Sequence, residues 1–180
     1  GTKADAQGLI NVFDIENVAP FYTEIDGHIQ SMRGEGAEAV VVFMHWGYEY
    51  QTVQSPQQTQ IAQKLCDLGV DVIIGGHPHV IQPVALLTST QDENHKTVCL
   101  YSMGNAVSNQ RLGNLSSIST AHTEDGVLFS VTFSKYSDGT VVLEGTDLIP
   151  CWVNMHTGNG KKEYNILPLD SNTREQWKEL

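Results

Sequence analysis

The chain has 180 residues, 40% of them hydrophobic, with 21 acidic against 10 basic side chains and a formal charge of −11. That length fits one globular domain with a real core, and the acidic balance, with no basic run to offset it, argues against nucleic acid or an anionic membrane surface as partner. No apolar run approaches the roughly 20 residues that cross a bilayer, and "GTKADAQGLINVFD" lacks the basic and apolar regions of a signal peptide, so any export signal or anchor is expected in a longer precursor.

Val18, Phe21, Ile25, Ile29 and Met32 recur at helical spacing, which predicts a helix over 17–33 with Pro20 near its start and Gly34 and Gly36 at its end. "AVVVFMH" (39–45) is a continuous β-branched and apolar run, the pattern of a strand buried on both faces. Ser55-Pro56-Gln57-Gln58 supplies a capping box for a second helix, along which Ile61, Ala62, Leu65 and Leu68 share a face before Gly69 stops it. "VDVIIGG" (70–76) is another buried strand. This strand–helix–strand order predicts a parallel pair with a right-handed crossover. His45 ends the first strand and His77 follows the second, so both are expected at the carboxyl edge, where open α/β sheets place their ligands.

Beyond His79, residues 84–89 and 97–102 read as an out-and-back pair that returns Ser102, Gly104 and Asn105 to the histidine edge. The polar stretch 110–125 is long enough for a functional loop. Alternation of Val127, Phe129, Val131 and Phe133, with a turn at Ser137-Asp138-Gly139, predicts a β-hairpin over 126–149. The tail carrying Pro150 and Pro168 is weakly patterned. Cys66, Cys99 and Cys151 are widely spaced in apolar segments and read as buried free thiols rather than a metal site.

"GGHPH" (75–79) carries the chemistry. Two histidines constrained by Gly-Gly and Pro can point into one cleft, and neutral imidazole is a ligand for zinc, manganese or iron. His45, His77 and His79 are therefore candidate metal ligands, the alternative being polar residues that merely finish turns. Glu49 is a candidate ligand or general base, or else a solvated loop carboxylate. Asn105 offers a carbonyl ligand or a hydrogen bond to substrate, and Arg111 a fork for phosphate or carboxylate, unless they are a turn former and a surface charge. Trp46, Tyr48 and Tyr50 form a candidate contact surface. His28, His95, His122 and His156 have no companions and receive no role. A two-metal hydrolytic site needs a bridging carboxylate and more ligands than three histidines. Asp67 and Asp71 belong to the opposite edge of the sheet, so the site reads as half of one.

"VVVFMHWGYEYQ", "GVDVIIGGHPHVIQPV" and "VCLYSMGNAVSNQR" resemble the bacterial capsule-synthesis proteins of the CapA, or poly-γ-glutamate synthesis, type, and "IPCWV" and "YNILPLD" resemble that family's later segments. The resemblance implies a calcineurin-like metallophosphatase fold: a layered α/β sandwich with a parallel βαβ unit followed by antiparallel hairpins. It implies one or two divalent ions (Mn, Zn or Fe), with His45 and His77 matching ligands of one and His79 a ligand of the other. Glu49 and Asn105 match family motif positions. The family's early Asp and its Asn-His motif with a following Asp have no counterpart here, so residues 1–180 are expected to be the C-terminal part of the domain, its site completed by the remainder. An incomplete sheet would expose strands and promote homo-oligomers. Two functions follow from the resemblance. One is metal-dependent hydrolysis of a phosphoester or polymer-linked bond, and the other is a non-catalytic component of a machine that makes and exports an anionic surface polymer. Either implies an extracytoplasmic, cell-surface or membrane-anchored setting.

Overall fold

A proline in a first turn and a glycine past the last one frame the one helix among the described residues of the N-terminal segment. The computed structural model describes residues 10–170, which divide into two compact units between Ala37 and Glu38. In the first, α1 spans Ala19–Gly34 with Pro20 in its first turn, where the missing N–H has no helical partner to lose. Gly36 at φ +97° turns the chain, and the Ala37 N–H returns to the Met32 carbonyl. The Phe13 ring stacks on Phe21 at 4.5 Å.

The second unit begins with β1 (Val41–His45), α2 (Pro56–Asp67) and β2 (Val72–Gly76). α2 starts where the capping box places it: the Ser55 hydroxyl accepts from the Gln58 N–H, and Gln58 Oε1 accepts from the Ser55 N–H. Ile61, Ala62, Leu65 and Cys66 are buried, and full burial of each large aliphatic is worth about 1.5–3 kcal/mol. β1 and β2 pair in parallel, His45 opposite Gly76. β2 also pairs in parallel with β4 (Lys96–Leu100), which pairs antiparallel with β3 (Val84–Thr88). The sheet order is β1-β2-β4-β3. This is an α/β chain of mixed parallel and antiparallel strands.

A second sheet is an antiparallel meander of β5 (Asp125–Lys135), β6 (Val141–Gly158) and β7 (Lys161–Pro168). It is tied to the segment after β4 by a bridge between Gly104 and Gly126 and by the Val127 N–H on the Met103 carbonyl, and a bridge between Ile81 and Met103 joins that segment to the β2–β3 connection. These contacts hold the segment that leaves β4, and with it Asn105, beside the β2–β3 connection.

Two expectations need correcting. β1 is not buried on both faces: it lies at the end of the sheet order, with Phe43 75% and Val41 44% exposed. The hairpin does not end at 149, and the weakly patterned tail is strand as far as Pro168 apart from one turn. β6 runs through Pro150, opposite Val127, and β7 follows a two-residue turn, Asn159-Gly160, with φ of +51° and +74°. Asn-Gly with both residues in the left-handed region is the turn whose twist suits a hairpin. All three cysteines are free and buried. Burial pushes the Cys66 thiol up and that of Cys99 to about 12. Among the described residues no helix is long and apolar enough to cross a membrane.

Candidate functional site at the histidine edge

Gly75 explains half of the glycine pair that precedes the histidines. The Trp46 indole N–H donates to the Tyr101 carbonyl at 2.9 Å. A Cβ on Gly75 would lie 2.0 Å from that oxygen and 2.5 Å from the indole nitrogen. Only glycine lets β2 pass beneath this bond. Gly76 has open space where its Cβ would be, so packing does not require it.

The parallel register then brings the imidazoles together. His45 closes β1, and the ring centroids of His45 and His77 are 4.6 Å apart. Those of His77 and His79 are 6.1 Å apart, and Tyr50 packs on His79 at the same separation. The backbone beneath is strained. His77 has φ +100°, His79 +61° and Tyr50 +64°, and among the described residues the one other non-glycine at positive φ is Asn159 of the β6–β7 turn. Each of the first three costs of order 1–3 kcal/mol. The Tyr50 N–H donates to the carbonyl of Pro78, between the two histidines, at 2.8 Å, which locks the Tyr48–Tyr50 loop to the His-Pro-His turn.

Asn105 orients His79. Its amide nitrogen donates to the carbonyls of His79 (3.2 Å) and Thr123 (2.9 Å), with Gln110 Oε1 at 3.4 Å. Those acceptors fix which end of the amide is oxygen, and Oδ1 lies 3.0 Å from His79 Nδ1. Nδ1 is therefore assigned a proton, and in the singly protonated ring the lone pair is on Nε2. The Glu49 carboxylate stands 3.8 Å from Nε2. Burial, reinforced by the His45 and His79 rings and opposed by Glu49, holds His77 below the usual imidazole value, so His77 is a neutral nitrogen donor at pH 7. In kind, neutral imidazoles are ligands for divalent ions that take nitrogen. Among the described residues, however, no three His, Cys, Asp or Glu side chains are drawn closely enough to enclose an ion.

The other candidate residues fall into two groups. Tyr50 is at the edge, against His79, and Tyr48 is 60% exposed beside it. Trp46 is buried, stacked on Tyr101, with its N–H already used. Arg111 is an internal brace: its guanidinium, 11% exposed, pairs with Glu124 and donates to the Val153 carbonyl. Asp67 and Asp71 lie on the far side, as expected. Asp71 accepts from the Val40 N–H at the start of β1, and Asp67 binds the Ser89–Thr90 turn.

Sequence reasoning read Gln58 only as a helix cap and overlooked Gln82, and both are buried. Gln58 Nε2 donates to Gln82 Oε1 at 2.8 Å, and Gln82 Nε2 donates to the carbonyls of Gln51 (2.8 Å) and Val53 (3.2 Å). Together they fasten the loop that carries Glu49 and Tyr50. A glutamine embedded in "HVIQPV" was the available signal, since a polar group among buried apolar neighbours needs partners.

Comparison with known proteins agrees with the motifs. Residues 6–110, more than half of the chain, match the family described as "Bacterial capsule synthesis protein PGA_cap". The chain is 34% identical over 109 residues to "PGA biosynthesis protein CapA" of Bacillus subtilis (strain 168), covering 61% of this chain and 27% of that protein. It is 34% identical over 125 residues to "Capsule biosynthesis protein CapA" of Bacillus anthracis, covering 69% of this chain and 25% of that protein. The chain thus spans about a quarter of the length of these relatives.

Proposed function

The chain belongs to the bacterial capsule synthesis family PGA_cap, and from that premise we propose that its histidine edge is the metal-binding part of a hydrolase acting in the synthesis of a surface polymer. The observation that carries this reading is the set of three imidazoles at one sheet edge, two of them on strained backbone and one oriented by Asn105. His45, His77 and His79 would hold one or two divalent ions (Mn, Zn or Fe), which when bound supply Lewis acidity and lower the pKa of water. Asn105 keeps the lone pair of His79 outward, the task that outer-shell groups perform for metal-binding histidines. Glu49, beside His79 Nε2, is placed to take or give a proton at the same edge. The α/β architecture is compatible with a metallophosphatase-like layering, in which residues 1–180 would be the C-terminal part of the domain. The bond cleaved would be a phosphoester or a linkage within an anionic polymer, at an extracytoplasmic, cell-surface location.

Titrating Mn²⁺ and Zn²⁺ into this chain by calorimetry, beside the His77→Ala/His79→Ala double variant, tests the reading. Binding by the parent that disappears in the variant is expected. Equal binding by both would show that these histidines are not the ligands. A second reading, a non-catalytic component of the polymer machine, is favoured by the lack of an enclosing set of three ligands among the described residues. It expects no binding in either protein.

A further inference from the structure

A cavity of about 250 Å³ adjoins the histidine edge and shares Tyr50 with it. Thr52, Ser117, Ser119, Thr120 and Thr123 line it. Val80 and Ile118, both buried, add an apolar surface to the Tyr50 side chain. Thr123 is 2% exposed, and among the described residues its Oγ1 has no hydrogen-bond partner. A buried hydroxyl left in that state costs roughly 1–3 kcal/mol, and with its oxygen shielded from solvent it stands behind the wall rather than on it. Thr123 is also joined to the histidines: its carbonyl accepts from Asn105, whose Oδ1 faces His79.

The lining selects the ligand. Hydroxyls donate and accept at once, so the exposed side chains of Thr52, Ser117, Ser119 and Thr120 suit a ligand whose own groups do both. The apolar surface with one aromatic ring suits the C–H face of a saturated ring. No lysine or arginine lines the space, and His122, which does, has Asp125 Oδ2 3.9 Å from its Nδ1. Arg111, the cation that might have served an anion, is engaged by Glu124. In a chain of charge −11 nothing here offsets a carboxylate or phosphate. The volume falls below the roughly 300–1,000 Å³ of sites for drug-sized molecules, which leaves room for one small unit.

We propose that this cavity is a subsite for an uncharged polyhydroxylated ring, a single sugar unit of a longer chain, held beside the histidine edge. Its role as a substrate subsite rests on the hydrolase reading, while the binding itself does not. The test is a calorimetric or NMR titration of this chain in EDTA with N-acetylglucosamine and with methyl glucoside, beside L-glutamate and a γ-glutamyl-glutamate dipeptide. Saturable binding of a sugar is expected, weakened about three- to tenfold by Ser119→Ala, the range set by one hydrogen bond. The melting temperature should hold, because Ser119 is exposed. Thr120→Val, at another exposed wall position, gives a second loss of affinity. Preference for the glutamyl dipeptide, sugar binding indifferent to both variants, or no saturation by either sugar would overturn the proposal. The His77→Ala/His79→Ala variant, titrated with the same sugars, separates the two ideas: it loses the ion if the hydrolase reading holds and keeps the sugar if this one does.

Discussion

Asn105→Ala tests the logic of the histidine edge most directly. The substitution removes two well-formed donated bonds, to the carbonyls of Thr123 and His79, and the acceptor for His79 Nδ1. At about 1 kcal/mol net for each, with water able to reach a half-buried site, the loss should be about 2–3 kcal/mol. For a unit of this size that lowers the melting temperature by roughly 8–12 °C, at about 4 °C per kcal/mol. The second readout is the His79 ring. Nitrogen chemical shifts should report the Nδ1–H tautomer in the parent and a mixture in the variant. If the edge holds a divalent ion, its affinity should also fall about 10- to 100-fold. Asn105→Asp separates the parts: its carboxylate still accepts from Nδ1 but cannot donate to either carbonyl, so stability should fall while the tautomer persists. A loss below about 0.5 kcal/mol in Asn105→Ala with an unchanged His79 tautomer would refute the reasoning, since neither the clamp nor the orientation would then depend on this amide.

Gln82→Leu should cost about 3–4 kcal/mol in urea unfolding, because it leaves Gln58 Nε2 and the carbonyls of Gln51 and Val53 without partners in a buried site; a change under about 1 kcal/mol would mean the loop holds itself. Gly75→Ala should cost about 3 kcal/mol or more through its clash with the Tyr101 carbonyl, whereas Gly76→Ala should stay within about 1 kcal/mol, a contrast read from paired melting curves. His77→Gly should leave stability unchanged or raise it by about 1 kcal/mol, since relief of the φ +100° strain is partly offset by the entropy of glycine in the unfolded chain. Burial alone would raise the Asp67 carboxyl, but hydrogen bonds from Thr90, Gln63 and Ser89 outweigh it and hold the group below the usual carboxylate value. Asp67→Asn should therefore cost about 1 kcal/mol at neutral pH, the low end because the group is largely solvated. That difference should stay constant down to the ordinary carboxylate value near 3.9 and vanish as pH falls through the lower folded one, where the parent loses the same charge.

The parts of the fold that were legible in the sequence are those dictated by neighbouring residues. Ser55-Pro56-Gln57-Gln58 predicts the start of α2 because a capping box satisfies its donors within four positions. The histidine edge was legible one step further out, since a parallel crossover brings the ends of β1 and β2 to the same side. What escaped depends on distant partners. Phe43 looks like core because apolar runs do not reveal which strand ends a sheet. Arg111 looks like a free cation until β6 and the turn before β5 bring Val153 and Glu124 to it. Thr123 gives no local sign at all, because what matters is a hydroxyl left unpaired by the packing around it. The Asn159-Gly160 turn is different. Its signal was local, but it lies in a tail that reads as weakly patterned around Pro150 and Pro168, and Pro150 is tolerated within β6.

The strained turn bears on whether the histidines merely finish it. A residue chosen only to occupy the left-handed region would be glycine or asparagine, which enter it at little or no cost. The chain uses both for that purpose elsewhere: Gly139 turns the β5–β6 hairpin and Asn159-Gly160 the next. At His77 and His79 it places imidazole on positive φ although two glycines stand immediately before. As backbone elements these histidines are the costlier choice. The return must come from the rings, and their surroundings point the same way: His77 is kept neutral by burial beside His45, and His79 is fixed in one tautomer by Asn105. A turn former has no use for a defined tautomer, whereas a nitrogen ligand or a proton carrier depends on one.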